Sequence, residues 1–242
     1  MKHLVIIPTY NEKENISLII DAVLAEPSMD VLIVDDNSPD GTGDIVANIQ
    51  SEKAPDQVHL IRRAGKLGLG TAYIAGFQYA IAHGYDYISE MDADFSHNPK
   101  DLVRLRQACI DGADVAVGSR YVQGGGLENW PKSRIFISKG GSLYVRMLTF
   151  MPVMDPTAGF VCYKRKVLES INLDKIGFTG YAFQIEMKYV AWKLGYKIAE
   201  VPIIFKDREL GVSKMSGSII KEAVSGVLKL VFRDISKYYG RL

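Results

Sequence analysis

Two carboxylates one residue apart, in Asp92-Ala93-Asp94, are the side chains of this sequence best suited to a hard divalent cation. Both can ligate one ion that also takes oxygens from a substrate diphosphate, offsetting the charge that builds on a departing nucleoside diphosphate. The same tripeptide also suits two solvated loop aspartates, so its place in the chain decides between the readings. Asp35-Asp36 is a second acidic pair. A carboxylate there either hydrogen-bonds a ribose or base, or caps the segment that follows. Pro8-Thr9-Tyr10-Asn11-Glu12 offers an aromatic face for stacking a base and a carboxylate for its polar edge, or else a turn and a helix cap.

The elements that must position these residues read as an alternation. Strands are expected at His3–Pro8, Val31–Val34, Val58–Ile61, Tyr85–Met91 and Val115–Gly118, the first two apolar on both faces. Helices are expected at Asn11–Ala25, Thr42–Gln50, Thr71–Ala82 and Pro99–Ile110, the last with proline near its start. Strands alternating with helices predict an α/β fold with a Rossmann-like, mostly parallel sheet and helices on both faces. Ligands collect at the C-terminal ends of such strands. Pro8–Glu12, Asp35-Asp36 and Asp92–Asp94 all fall there, so three polar clusters share one rim.

The second half is less regular. Gly124–Gly126 begins a segment expected to be flexible, and Ser133–Met151 reads as an interrupted amphipathic helix. Gly180–Leu194 reads as a helix carrying Glu186, Ile198–Phe205 as a strand with Pro202 at an edge or bend, and Ser218–Tyr239 as a final helix. No repeat or linker divides the chain. A single domain over 1–242 is expected, with a nucleotide-binding half at 1–120 and an acceptor-binding half at 121–242.

Composition narrows the function. Of 242 residues 48% are hydrophobic, enough for a packed core, and 29 basic against 28 acidic residues give no global charge for nucleic acid. Two cysteines, Cys109 and Cys162, form neither a disulfide framework nor a zinc knuckle and fit a reducing compartment. Gly68-Leu69-Gly70-Thr71-Ala72-Tyr73 lacks the third glycine of a dinucleotide fingerprint and does not follow the first strand. There is no Walker A sequence either. The charge-free run Leu67–Tyr85 contains Gly68, Gly70, Gly76, Gln78, His83 and Gly84, so a buried helix is expected rather than a membrane span.

An ordered set of stretches carries a resemblance. They are Pro8–Glu12, Asp35–Thr42, Lys66–Tyr73, Met91–His97, Gly118–Tyr121, and Asp207-Arg208 through Ser213-Lys214. Together, over nearly the whole chain, they resemble family 2 glycosyltransferases of the GT-A fold, and more narrowly the dolichyl-phosphate (polyprenyl-phosphate) mannose synthases. The resemblance implies transfer of mannose from GDP-mannose to a polyprenyl phosphate, with inversion and with Mg²⁺ or Mn²⁺ as cofactor. By carry-over Pro8, Tyr10, Glu12, Val34 and Asp36 hold the guanosine part. Asp92, Ala93 and Asp94 hold the diphosphate, and Asp92, Asp94 and Ser96 the metal, with Asp94 the expected direct ligand; Ser96 stands where some members have Gln. Arg120, Arg208 and Lys214 contact phosphates of the donor. Arg120, Arg134 and Ser138 face the acceptor phosphate, and Asp94 and Arg120 are the residues expected to carry catalysis.

The acceptor bears on mechanism. A phosphomonoester, with a second pKa of about 6, is already ionised near neutrality and attacks without a strong base. Glu186 is therefore a remnant base, a sugar-hydroxyl ligand or an ordinary helix carboxylate. Lys221, Lys229, Arg233 and Lys237 recur at multiples of four, and residues Ser218–Leu242 carry five basic and two acidic side chains. This helix and Ser133–Met151 can lie on an anionic membrane, dock a membrane-anchoring partner subunit, or pack in the core. With no signal-peptide layout and no transmembrane helix expected, the chain is expected in the cytoplasm, peripherally on the cytoplasmic membrane face. The rival readings are a polyprenyl-phosphate glucosyltransferase using UDP-glucose and a sugar nucleotidyltransferase. The latter should carry a glycine-rich basic loop where Pro8–Glu12 stands.

Overall fold

The apolar run at the N-terminus becomes a strand because both of its faces find partners. In β1 (His3–Thr9), Leu4 and Ile6 enter one hydrophobic cluster while Val5 and Ile7 enter another on the opposite face. The computed structural model describes residues 1–180, 182–207 and 226–240. Its strands continue with β2 (Met29–Asp35), β3 (Val58–Arg62), β4 (Tyr87–Glu90), β5 (Val115–Ser119), β6 (Gly126–Glu128), β7 (Val161–Lys164), β8 (Ile198–Pro202) and β9 (Ile204–Lys206). The helices are α1 (Ile16–Leu24), α2 (Thr42–Glu52), α3 (Leu69–Ala82), α4 (Asp101–Ile110), α5 (Lys132–Thr149), α6 (Arg165–Ser170), α7 (Ala182–Lys193), α8 (226–231) and α9 (Ile235–Tyr239).

The main sheet runs β3-β2-β1-β4-β7-β5-β8, and every pair is parallel except those that β7 makes with β4 and β5. Tyr73 and Phe77 of α3 and Phe183 and Met187 of α7 fill one side, while Ile16, Ile19 and Ile20 of α1 and Leu102 and Leu105 of α4 fill the other. Parallel register puts the C-terminal ends of β1, β2 and β4 side by side: Thr9 faces Asp35, and Ile6 faces Glu90. The expected mostly parallel α/β sheet is therefore present, with its polar strand ends on one rim.

Several expected elements differ for local reasons. The helix expected from Asn11 starts at Ile16, because Asn11 adopts φ +58° and the Glu12 carbonyl accepts from the amides of Asn15 and Ile16 in a turn. The segment expected to be flexible after Gly124 contains β6, which pairs in parallel with β9. The single strand expected at Ile198–Phe205 is two: Pro202 ends β8 in the main sheet, and Ile204 begins β9 in the small one. α5 runs without a break through Gly140 and Gly141 and stops where Phe150 turns left-handed, at φ +55°. The final helix expected from Ser218 is divided in its described part. It turns after residue 231 and restarts at α9, whose first turn is capped by the Asp234 carboxylate accepting from the Lys237 amide. Residues 218–225 of that expectation lie outside the described residues. β7 has no counterpart among the expected strands.

Candidate active site

The acidic pair after β2 separates into two roles. Asp35 is buried and accepts from Thr9 Oγ1 at 3.0 Å and from the amide and hydroxyl of Ser38 at 3.0 and 2.5 Å. That is a brace of the turn after β2 rather than either expected role: α2 begins after Gly41, and the Thr42 amide is taken by Asp40, not Asp35. Asp36 receives Arg63 Nε at 2.5 Å instead, both side chains being about nine-tenths buried. The same guanidinium donates to Thr71 Oγ1 at 2.7 Å and to the Gly68 carbonyl at 3.2 Å. Sequence reasoning missed Arg63, although its place directly after β3, beside the end of β2, was a signal. Across the rim, Lys66 Nζ lies 4.9 Å from the centre of the Tyr10 ring, and Glu12 accepts from Asn15 Nδ2 at 3.1 Å. Val34 buries its whole side chain in the core, so only its main chain is left for a nucleotide.

Beyond β4 the chain makes a tight polar turn. Phe95 is left-handed at φ +58°, a costly conformation for a bulky residue, and this lets the Ser96 amide donate to Asp94 Oδ1 at 3.1 Å. Asp94 and Ser96 are largely buried, whereas the Asp92 side chain is 41% exposed. The Asp92 amide donates to His97 Nδ1 at 3.4 Å, and the imidazole stacks on Phe160 with ring centres 4.8 Å apart. Burial, opposed by the charge of Asp94, pulls the His97 pKa down to about 4, so the ring is neutral. His97 stands in a quoted motif, but its bracing of the Asp92 turn was not foreseen.

Arg120, one residue past β5, is clamped. Nε and Nη2 donate to the two oxygens of Asp155 at 2.6 Å each, and Nη2 also to Thr157 Oγ1 at 2.9 Å. Asp155 is fully buried and accepts the Arg120 amide as well, at 3.1 Å. The Glu200 carboxylate in turn accepts the amides of Met154 and Asp155 at 2.7 and 3.0 Å. Burial pulls the guanidinium pKa down, but Asp155 more than compensates, holding it above the ordinary arginine value. Asp155 and Thr157 occupy Nε and Nη2, so the Nη1 edge is the one left for an anion. Asp155 was missed because its sequence surroundings, Met154-Asp155-Pro156-Thr157, read as an ordinary turn.

One cavity of about 400 Å³ gathers the two chemistries, lined among others by Asp92, Asp94, Ser96, Arg120, Arg134 and Ser138. Arg134 pairs with Asp207 at 2.8 Å and lies 3.7 Å from the centre of the Trp130 ring; Ser138 Oγ accepts from Tyr121 OH at 2.7 Å. Pro8, Tyr10, Glu12, Val34 and Asp36 are outside this lining, on the neighbouring β1–β2 stretch of the rim. Arg208 and Lys214 lie outside the described residues. Glu186 does not line the cavity; its buried carboxylate accepts from the amides of Gly177 and Phe178 and from Tyr239 OH. Among the described residues no three His, Cys, Asp or Glu side chains form a complete metal cage. The donors at Asp92 and Asp94 are nonetheless hard oxygens, which fit Mg²⁺ or Mn²⁺ with coordination positions left for phosphate oxygens.

The model of the family described as Glycosyl transferase family 2 matches residues 4–171. A polyprenol monophosphomannose synthase of Mycolicibacterium smegmatis is 50% identical over 222 residues, covering 91% of this chain and 83% of that protein. An undecaprenyl-phosphate mannosyltransferase of Micrococcus luteus is 49% identical over 230 residues, covering 95% of this chain and 93% of that protein. A solved mannosyltransferase from Pyrobaculum calidifontis, in complex with GDP-Man and Mn²⁺, superposes with a TM-score of 0.57 at 16% identity, over 95% of this chain and 69% of that one. At that identity the likeness is one of fold.

The clamp makes a stability prediction. Asp155→Ala leaves a buried guanidinium without its carboxylate, and the unfolding free energy should fall by about 3–5 kcal/mol. Urea denaturation measures it; a loss too small to resolve would mean that Arg120 finds another partner.

Proposed function

The chain belongs to glycosyl transferase family 2, and on that premise we propose that it moves mannose from GDP-mannose to a polyprenyl phosphate, with inversion, giving polyprenyl-phosphate mannose. The observation that carries this reading is that one cavity is lined both by Asp92 and Asp94 and by Arg120 and Arg134. The names of the two half-identical relatives support the acceptor, and the GDP-Man complex of the fold neighbour supports the donor.

In this reading residues 1–120 form the nucleotide half. Pro8, Tyr10, Glu12, Asp36 and the main chain at Val34 receive the guanosine. Asp92, Ala93 and Asp94 receive the diphosphate, and Asp92, Asp94 and Ser96 hold Mg²⁺ or Mn²⁺. Bound there, the ion would screen the negative charge that develops on departing GDP. Residues 121–242 form the acceptor half, with Arg120 at the join. Arg120, Arg134 and Ser138 hold the acceptor phosphate in line with the anomeric carbon; Arg208 and Lys214 add phosphate contacts.

The acceptor oxygen carries its own charge, so the chain needs orientation more than a base. The position of Glu186 agrees with this: its carboxylate is used up by Gly177, Phe178 and Tyr239, away from the cavity. Of the three readings of Glu186, the structural one is adopted. Arg120 contributes chiefly by being preorganised, because the Asp155 clamp removes the need to order it during reaction.

A lipid acceptor must be met at a membrane surface. Among the described residues no helix is long and apolar enough to cross a membrane. α5 instead turns Phe136, Leu143 and Met147 outward along one helical face, and Phe150 follows just past its end; Phe136 and Phe150 are each 81% exposed. Arg134, Ile137, Ser138 and Gly141 of the same helix line the cavity. A helix lying in the lipid interface would thus bring the phosphate headgroup to the cavity mouth. This supports peripheral attachment at the cytoplasmic membrane face, with or without an anchoring partner subunit.

Purified protein supplied with GDP-mannose or UDP-glucose, a short polyprenyl phosphate and Mg²⁺ or Mn²⁺ should yield a mannosylated lipid from GDP-mannose alone, read by mass spectrometry. Asp94→Ala should lower turnover by about 100-fold or more with an unchanged melting curve. A glucosylated lipid would overturn the donor assignment, and no glycolipid with either donor would sink the whole reading.

The α5 face has its own test. The double substitution Phe136→Asp, Met147→Asp should weaken co-flotation with anionic liposomes by roughly tenfold or more, given about 1.5–3 kcal/mol for each large apolar side chain buried. Unchanged flotation would remove α5 from the membrane contact.

A further inference from the structure

Glu186 and its partners form a chain of contacts that reaches the nucleotide rim. Glu186 Oε2 accepts from the amides of Gly177 at 3.0 Å and Phe178 at 2.9 Å, and Oε1 from Tyr239 OH at 2.6 Å. Tyr239 OH itself accepts from Arg233 Nη1 at 2.7 Å. On the far side, residues 178–179 meet the first turn of α3. The Gly70 amide donates to the Thr179 carbonyl at 2.8 Å, and a Cβ at Gly70 would stand 2.5 Å from the Phe178 carbonyl oxygen. No other residue fits so close an approach. The Phe178 ring also lies against α8, where a Cβ at Gly226 would come within 2.2 Å of it. Gly68 O at the start of α3 and Thr71 Oγ1 in its first turn are the two acceptors that fix Arg63 while its Nε holds Asp36.

A fully buried carboxylate with its oxygens taken by amides and a hydroxyl cannot swing freely, so it transmits the position of one element to another. We propose that Glu186 is a positioning residue for donor binding: it latches residues 226–240 to the 177–179 loop, and through Gly68–Thr71 keeps Arg63 and Asp36 in the geometry that receives the nucleotide. This rests on Asp36 being part of the nucleotide site. It also accounts for a conspicuous carboxylate on α7 that contributes nothing to the cavity wall.

Tyr239→Phe removes one hydroxyl and keeps the ring in the core, so it opens the latch with the least disturbance. Arg233→Met, at a partly exposed side chain, removes the donor to that hydroxyl and serves as the second variant. Calorimetric titration with GDP and, in parallel, UDP comes first, followed by donor kinetics. Both variants should bind GDP about five- to tenfold more weakly. KM for GDP-mannose should rise in step while kcat at saturating donor stays at the wild-type level. A merely structural role would instead lower kcat through loss of folded enzyme and leave KM unchanged, which would overturn the latch. Wild-type affinity for GDP in both variants would overturn it too. If wild-type protein bound neither nucleotide, the functional reading and the latch would both fail.

Discussion

A guanidinium and a carboxylate buried against one another, Arg120 and Asp155, constrain the layout of the cavity wall. Either charge buried alone would carry an uncompensated desolvation cost, and together they fix the approach of the 155–157 segment to the end of β5. The antiparallel strand β7 is what permits the pairing. Its parallel neighbours end at the rim, but β7 begins there, so the segment feeding into it carries Asp155 to the level at which β5 delivers Arg120. Glu200, on β8, then holds the main chain of that segment from the other side. A fully parallel sheet would send this segment to the opposite edge and leave Arg120 without its partner.

The rest of the rim follows from parallel pairing of β1, β2 and β4. It sets the turn after β4, with its two carboxylates, between the Asp36–Arg63 pair and the Arg120–Asp155 pair. Acids that suit a cation and a diphosphate thus adjoin arginine side chains, each steadied by a carboxylate, whose remaining N–H groups suit a second phosphate. Two anions must approach each other for sugar transfer onto a phosphate, and fixed countercharges on both sides offset their repulsion. The neutral His97 beside Asp92 and Asp94 adds no competing positive charge there.

Local signals made the outline of this arrangement legible. Apolar runs interrupted by Asp or Pro gave the strands, and the motifs at their ends gave Asp36, Asp92, Asp94 and Arg120. The partners that hold those side chains were missed, because they are distant in the chain and chemically ordinary, although the place of Arg63 just past β3 hinted at its role. Arg63 reaches Asp36 across 27 positions and Asp155 reaches Arg120 across 35, each from a stretch that reads alone as a solvated turn. β7 escaped notice because four residues running directly into a short helix carry no period to read. Glu186 shows another limit: three readings of this helix carboxylate stay open in the sequence, and only Gly177, Phe178 and Tyr239 found upon it choose among them. The division of the last helix turned on Asp234, whose capping role is clear only once the chain has turned.

The central claim is that Arg120, held by Asp155, receives the acceptor phosphate on the wall of the cavity that also presents Asp94. A crystal structure with GDP, Mn²⁺ and a short-chain polyprenyl phosphate tests it most directly. The account predicts the lipid phosphate within hydrogen-bonding distance of Arg120, with the Asp155 clamp intact and the GDP diphosphate on the Asp94 side. A lipid phosphate bound away from Arg120, or Arg120 swung off Asp155 to reach it, would contradict the account.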